Sequence, residues 1–153
     1  MNKNPKILVK AIASFFFLGY SPLAPGTVGS IGGILIYFLI RGNNLLYFFS
    51  TIAVLIAGLF VCGKAEGVFG EKDPKQVVID EVFGMLIALY AAGYSAIDIM
   101  LGFFLFRLFD IWKPPPIRAV HGLRGSLGVM GDDLLAGLYT IFSLQLINRV
   151  FPT

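Results

Sequence analysis

Between residues 45 and 62 the chain runs eighteen positions without a charged side chain. That approaches the roughly 20 apolar residues a helix needs to cross a hydrocarbon core of ~30 Å. Four shorter apolar runs accompany it, at 27–40, 82–93, 96–109 and 134–150. They are continuous and rich in Leu, Ala and Phe rather than alternating, which makes them helices and not strands. The 14-residue run 27–40 covers only about 21 Å at helical rise. Short runs of this kind extend through flanking turns, thin the bilayer, or pack in a bundle shielded from lipid.

Composition narrows the class. Hydrophobic residues make up 57% of the 153 and charged residues 14%, with a mean hydropathy of +0.82. A soluble domain holds about 45–50% apolar residues even with Gly counted, and about 25% charged. A chain this small has too much surface to hide the excess from water. An ordinary soluble globule, a disordered tail and a basic nucleic-acid-binding domain are excluded, so no nucleic-acid partner is expected. The expected architecture is all-α: a compact, membrane-embedded helical bundle forming one domain over 1–153. It has about five hydrophobic helices plus a short N-terminal interfacial or re-entrant helix at 7–19. That first helix, behind Lys3, Lys6 and Lys10, reads as retained rather than cleaved. The single Cys62 permits no disulfide framework and leaves a structural zinc site without its usual thiolates; it reads as buried filler.

Compact breaks at 41–44 and 93–95 join neighbouring runs, leaving longer polar segments at 63–79 and 110–133. With the N-terminus in the cytoplasm, five crossings place ten of the twelve Lys and Arg inside, Lys72 among them. Only Arg41 and Arg149 fall outside, in agreement with the positive-inside rule. The net charge of +3 then reflects membrane anchoring rather than an anionic partner. Eight of the nine acids share the inner face, with Asp98 the exception.

The acids are paired. Asp80-Glu81 stands immediately before the third run and Asp132-Asp133 before the fifth. Acids at helix starts cap free N–H groups and complement the macrodipole, but one per helix suffices. Crowded carboxylates at a membrane boundary repel each other and lose hydration unless a cation neutralises them, which favours a divalent metal site over capping. An oxygen-only donor set points to Mg²⁺, with Mn²⁺ as a substitute, and Mg²⁺ commonly completes its shell with phosphate oxygens. The expected substrate therefore carries phosphate and is reached from the cytoplasmic leaflet.

Arg107, Asp110 and Lys113, spaced i, i+3, i+6, end the fourth run ahead of Pro114-Pro115-Pro116. Alone they read equally well as a local ion pair or as phosphate-holding cations. Beside the acidic pairs, Lys113 becomes a phosphate binder and Asp110 a further metal ligand. The Pro- and Gly-rich stretch 21–30 opens onto the first run, where backbone N–H groups and the Thr27 hydroxyl suit an anion. It lacks the lysine of a nucleotide-binding loop. His121 reads as structural or interfacial.

Four blocks resemble the phosphatidylglycerophosphatase A family. They are Pro22-x-x-Pro25-Gly-Thr27-x-Gly-Ser30; Asp80-Glu81-x-x-Gly84-Met85; Phe106-Arg107-x-Phe109-Asp110-Ile-x-Lys113-Pro114-x-Pro116-Ile117; and Gly128-Val-Met-x-Asp132-Asp133-x-x-Ala136-Gly137. They keep their order over residues 22–137. The resemblance implies an α-helical, Mg²⁺-dependent lipid phosphatase of the bacterial inner membrane, converting phosphatidylglycerophosphate to phosphatidylglycerol and phosphate. It implies a catalytic and metal-binding set of Asp80, Glu81, Asp132 and Asp133. Asp110 is a further ligand, and Thr27, Arg107 and Lys113 fall in matching positions as substrate contacts. Asp73 departs from the pattern: Pro74 follows it where some relatives carry His. The resemblance leaves direct water attack and an aspartyl-phosphate both open. From a different class, a divalent-cation transporter or channel would line its path with the same acids, but at mid-membrane depth.

Overall fold

Polar breaks in the sequence become helix ends. The Asn43 side chain accepts the Leu46 N–H at 3.0 Å, starting a helix that runs from Asn44 to Phe69. Gly70 closes it at a φ of 80°, its N–H returning to the Glu66 carbonyl at 2.9 Å. Ser95 starts another helix in the same manner, accepting the Ile97 N–H at 3.1 Å. The computed structural model describes residues 3–71, 74–93 and 95–151. Lys72 and Asp73, and Tyr94 of the 93–95 break, lie outside them.

Among the described residues there are seven α-helices and no strand. They are α1 (Lys3–Ala13), α2 (Pro25–Ile40), α3 (Asn44–Phe69), α4 (Ile79–Leu89), α5 (Ala96–Trp112), α6 (Ile117–His121) and α7 (Ser126–Val150). The all-α expectation holds. Two helices, α3 and α7, are long and apolar enough to cross a membrane, whereas α2 is apolar but shorter.

The hub is α4, eleven residues and about 16 Å long. Val82, Phe83, Met85, Leu86, Ala88 and Leu89 are all buried, as befits a helix apolar on every side. It packs mainly against α7 and α2, with α3 and α5 completing the enclosure. The approach is close because the contact positions are glycines. A Cβ on Gly33 would stand 3.0 Å from the Val82 carbonyl, and one on Gly137 would stand 2.8 Å from the Gly84 carbonyl. Small residues at such positions let helix backbones meet. At the chain start, the Val78 N–H donates to the Ala13 carbonyl at 2.9 Å, fixing the entry to α4. Cys62 is a buried free thiol, 3.9 Å from the Met130 sulfur.

Three boundaries differ from those expected. The first helix stops at Ala13, because Ser14 Oγ donates to the Lys10 carbonyl at 2.7 Å and accepts the Phe17 N–H at 3.1 Å. Phe15, Phe16 and Phe17 then turn left-handed before a single 3-10 turn at Leu18–Tyr20. The segment after Cys62 remains helical for seven further residues, with Lys64 and Glu66 exposed on it and Gly63 and Gly67 accommodated inside it, and ends at Gly70. Most consequential is α7, which begins at Ser126 and not at 134. Gly128 and Gly131 lie inside this helix and serve packing: a Cβ on Gly131 would lie 2.7 Å from Val120. Asp132 and Asp133 therefore lie inside a helix rather than ahead of it.

Candidate active site

One end of the bundle gathers the chemistry. Asp80 and Glu81 project from the first turn of α4, and Asp132 and Asp133 from the second turn of α7. Arg107 and Asp110 come from the last turns of α5. Lys113 caps α5 in a left-handed conformation at φ 48°, with its N–H on the Phe109 carbonyl, ahead of the Pro114–Pro116 run that stops the helix. These residues line a cavity of about 420 Å³ with Pro25 and Gly26 from the start of α2. Gly26 leaves room there: a Cβ would meet Glu81 Oε1 and approach Arg107 Nη1 to 3.1 Å, so the ends of those two side chains would have to shift.

Two acids hold the cations in place. Asp110 takes Arg107 Nη1 on Oδ2 at 2.7 Å and Lys113 Nζ on Oδ1 at 3.2 Å. Asp132 Oδ2 takes Lys113 Nζ at 2.5 Å and His121 Nδ1 at 2.7 Å, while its Oδ1 accepts the Asp133 N–H at 3.0 Å. Burial disfavours charge on Lys113, but its bond to Asp132 and the Asp110 charge prevail and raise its pKa, so it stays protonated.

Each of the remaining acids has one buried oxygen without such a partner. Asp80 Oδ1, Glu81 Oε2 and Asp133 Oδ2 are buried with no hydrogen-bond donor among the described residues. Burial, followed by the charges of Glu81 and Asp133, pushes Asp80 well above the ordinary carboxylate range. Burial likewise raises Glu81, against a lowering contribution from its contact with Asp80 and from Arg107, which stands 3.9 Å away. Oxygens of Asp80, Glu81 and Asp133 lie within 4.8 Å of one another, as do those of Asp110, Asp132 and Asp133. Asp133 belongs to both groups. Five carboxylates thus face two fixed cations, and a group of buried, donor-free hard oxygens fits a divalent cation of the Mg²⁺ or Mn²⁺ type.

Seven of the eight residues expected from sequence meet in this cavity; Thr27 does not line it. The interior position of Asp132 and Asp133 also removes the capping explanation for that pair, because neither stands at a helix start. His121 was missed as a site residue. It is the chain's only histidine and stands eleven residues before Asp132, but the two sit on different helices, α6 and α7, and the turn between them closes the gap.

A helical bundle with buried acids interleaved with Arg and Lys at one mouth defines a class: all-α proteins with a mixed acidic and cationic site at the end of the bundle. The comparisons specify it. A model of the family described as Phosphatidylglycerophosphatase A matches residues 11–148, and the chain belongs to that family. A Bacteroides thetaiotaomicron protein named "Putative phosphatidylinositol-3-phosphatase" is 40% identical over 97% of this chain and 98% of its own length. Proteins named Phosphatidylglycerophosphatase A are 33% identical in Escherichia coli and 35% in Haemophilus influenzae. They cover 92% and 90% of this chain, and 84% and 88% of their own lengths. No solved structure matches the chain.

Proposed function

We propose that this protein hydrolyses the terminal phosphate monoester of phosphatidylglycerophosphate, giving phosphatidylglycerol and phosphate, with Mg²⁺ held by Asp80, Glu81 and Asp133 and, through Asp133, by Asp110 and Asp132. The carrying observation is the set of buried, unpartnered carboxylate oxygens within reach of Lys113 and Arg107. When bound, the divalent cation supplies charge neutralisation to the phosphate and to the acids around it. Lys113 and Arg107 hold the non-bridging oxygens, since phosphoryl transfer depends chiefly on positioning and charge. Asp110 aims both cations, and Asp132 fixes Lys113 and His121 together. Asp80 or Glu81 takes the proton from the attacking water. A transporter path has no support, because the acids gather at one mouth of the bundle rather than along it.

The test is phosphate release from phosphatidylglycerophosphate in detergent micelles, with and without chelator. Release that chelator abolishes and Mg²⁺ restores is expected. Release at full rate after chelation overturns the metal assignment, and no release overturns the activity. Phosphatidylinositol 3-phosphate, assayed in parallel, decides between the headgroups in the relatives' names. Mg²⁺ at a hundred times its dissociation constant also stabilises the folded protein by about 2.7 kcal/mol, read as a raised thermal midpoint.

The same reading places the chain in the bacterial inner membrane as a multi-pass protein with the site facing the cytoplasm. In support, only 28% of the apolar window of α3 is buried, and Leu45, Phe48, Phe49, Ile56 and Phe60 project outward from it. A soluble core helix does not expose such a face. In a Cys62→Ala background, Gly42→Cys, in the open turn between α2 and α3, is expected to label with an impermeant reagent in intact cells. Lys75→Cys, exposed at the site mouth, is expected not to label. The reverse pattern overturns the orientation.

A further inference from the structure

The acid cluster opens into a second lobe, of about 620 Å³, large enough for a polar headgroup. The two lobes share Pro74, Val77, Asp80, His121 and Val129, so they meet along one wall that includes Asp80 of the acid cluster. Their charges differ. The cations of the first lobe, Arg107 and Lys113, are engaged by Asp110 and Asp132 at the place where one phosphate is to react. In the second lobe the cation is Arg124, in the turn before α7. It is exposed and has no ion pair among the described residues. Exposed Leu123 and Leu127 flank it, an apolar margin suited to acyl chains. Glu66, the lobe's other charged residue besides Asp80, is acceptor-only and suits hydroxyl groups rather than phosphate.

A phospholipid whose polyol headgroup ends in a phosphate monoester carries two phosphates: the one removed and the diester that stays with the product. Both lipids in the relatives' names have this chemistry. Resting on the phosphatase reading above, we infer that the second lobe is a subsite for the phosphodiester, with Arg124 as its specificity-determining cation. The protein then selects lipids that present a diester and a monoester across a polyol, rather than phosphate monoesters at large. Glu66 accepts from the polyol hydroxyls between them.

Inhibition separates the two subsites, because phosphatidylglycerol keeps only the diester and inorganic phosphate resembles only the monoester. The assay is phosphate release from phosphatidylglycerophosphate in neutral-detergent micelles, with diacylglycerol, which has no phosphodiester, as the uncharged control lipid. Arg124→Gln is expected to raise both the KM and the phosphatidylglycerol inhibition constant by about tenfold, the scale of one charge-assisted hydrogen bond. The inhibition constant of inorganic phosphate stays unchanged, and Arg124→Lys recovers part of the loss. Arg118→Gln, a substitution of an exposed cation that lines neither lobe, is expected to shift none of them. Unchanged constants in Arg124→Gln, an equal shift in Arg118→Gln, or phosphatidylglycerol that inhibits the wild type no better than diacylglycerol removes the subsite and leaves the phosphatase reading standing. A wild type that releases no phosphate removes both.

Discussion

Asp133→Asn is expected to lower phosphate release at least about a hundredfold while the thermal midpoint, measured without metal, stays equal or rises. The activity loss follows from charge: Asp133 belongs to both carboxylate groups, and losing one preorganised charge at a reacting phosphate costs on this scale. The stability follows from burial. Asp133 is 2% exposed and its Oδ2 has no donor among the described residues. Asn keeps the volume, removes one of several crowded negative charges, and offers an N–H to neighbouring acids. Asp80→Asn is expected to behave in the same way. Asp132→Asn is not, because Asp132 already accepts Lys113, His121 and a backbone N–H. Its loss leaves a half-buried lysine with Asp110 alone, so its midpoint falls along with its activity. Near-normal release from Asp133→Asn and Asp80→Asn sinks the metal site. A midpoint that falls equally in all three assigns these acids to folding.

Helix content was legible in the sequence because length and apolar continuity set it, and neither depends on tertiary contacts. The acid cluster was legible because Asp80-Glu81 and Asp132-Asp133 are adjacent pairs, and because Arg107, Asp110 and Lys113 share a helical spacing. Tertiary packing decided what sequence could not. Gly128 and Gly131 look like loop residues until Leu123 and Val120 are seen against them, so the start of α7 was placed eight residues late. The same error made Asp132 and Asp133 look like cap candidates. Helical spacing puts Lys113 within reach of Asp110, but its contact with Asp132 is made where the helix ends and the backbone turns left-handed, which spacing alone does not encode. His121 has no local signal at all, since its partner is supplied by the fold.

The glycine contacts that set this geometry lead to the second large effect. In an open helical position, Gly→Ala stabilises by up to about 1 kcal/mol through propensity. Gly67, near the end of α3 with nothing within 4 Å of its Cβ position, is such a place, and Gly67→Ala is expected to hold or raise the thermal midpoint. Gly84→Ala is expected to do the opposite. Its Cβ would stand 2.6 Å from the Phe106 ring and 2.9 Å from the Asp133 carbonyl, so a buried aromatic or a helix backbone must move. Overpacking of this kind costs about 1–3 kcal/mol, more than propensity returns. The movement also has a direction, because Gly84 lies one turn from Asp80 and Glu81 and faces the backbone of Asp133. Pushing α4 from α7 widens the gap between carboxylates whose oxygens now lie within 4.8 Å. A misplacement of about 1 Å at a reacting centre costs about a hundredfold. Phosphate release in Gly84→Ala is therefore expected to fall by tenfold or more at temperatures where the variant is fully folded, with a weaker response to Mg²⁺. A folded Gly84→Ala with wild-type release and wild-type Mg²⁺ dependence means that the α4–α7 approach does not set the spacing of the acids.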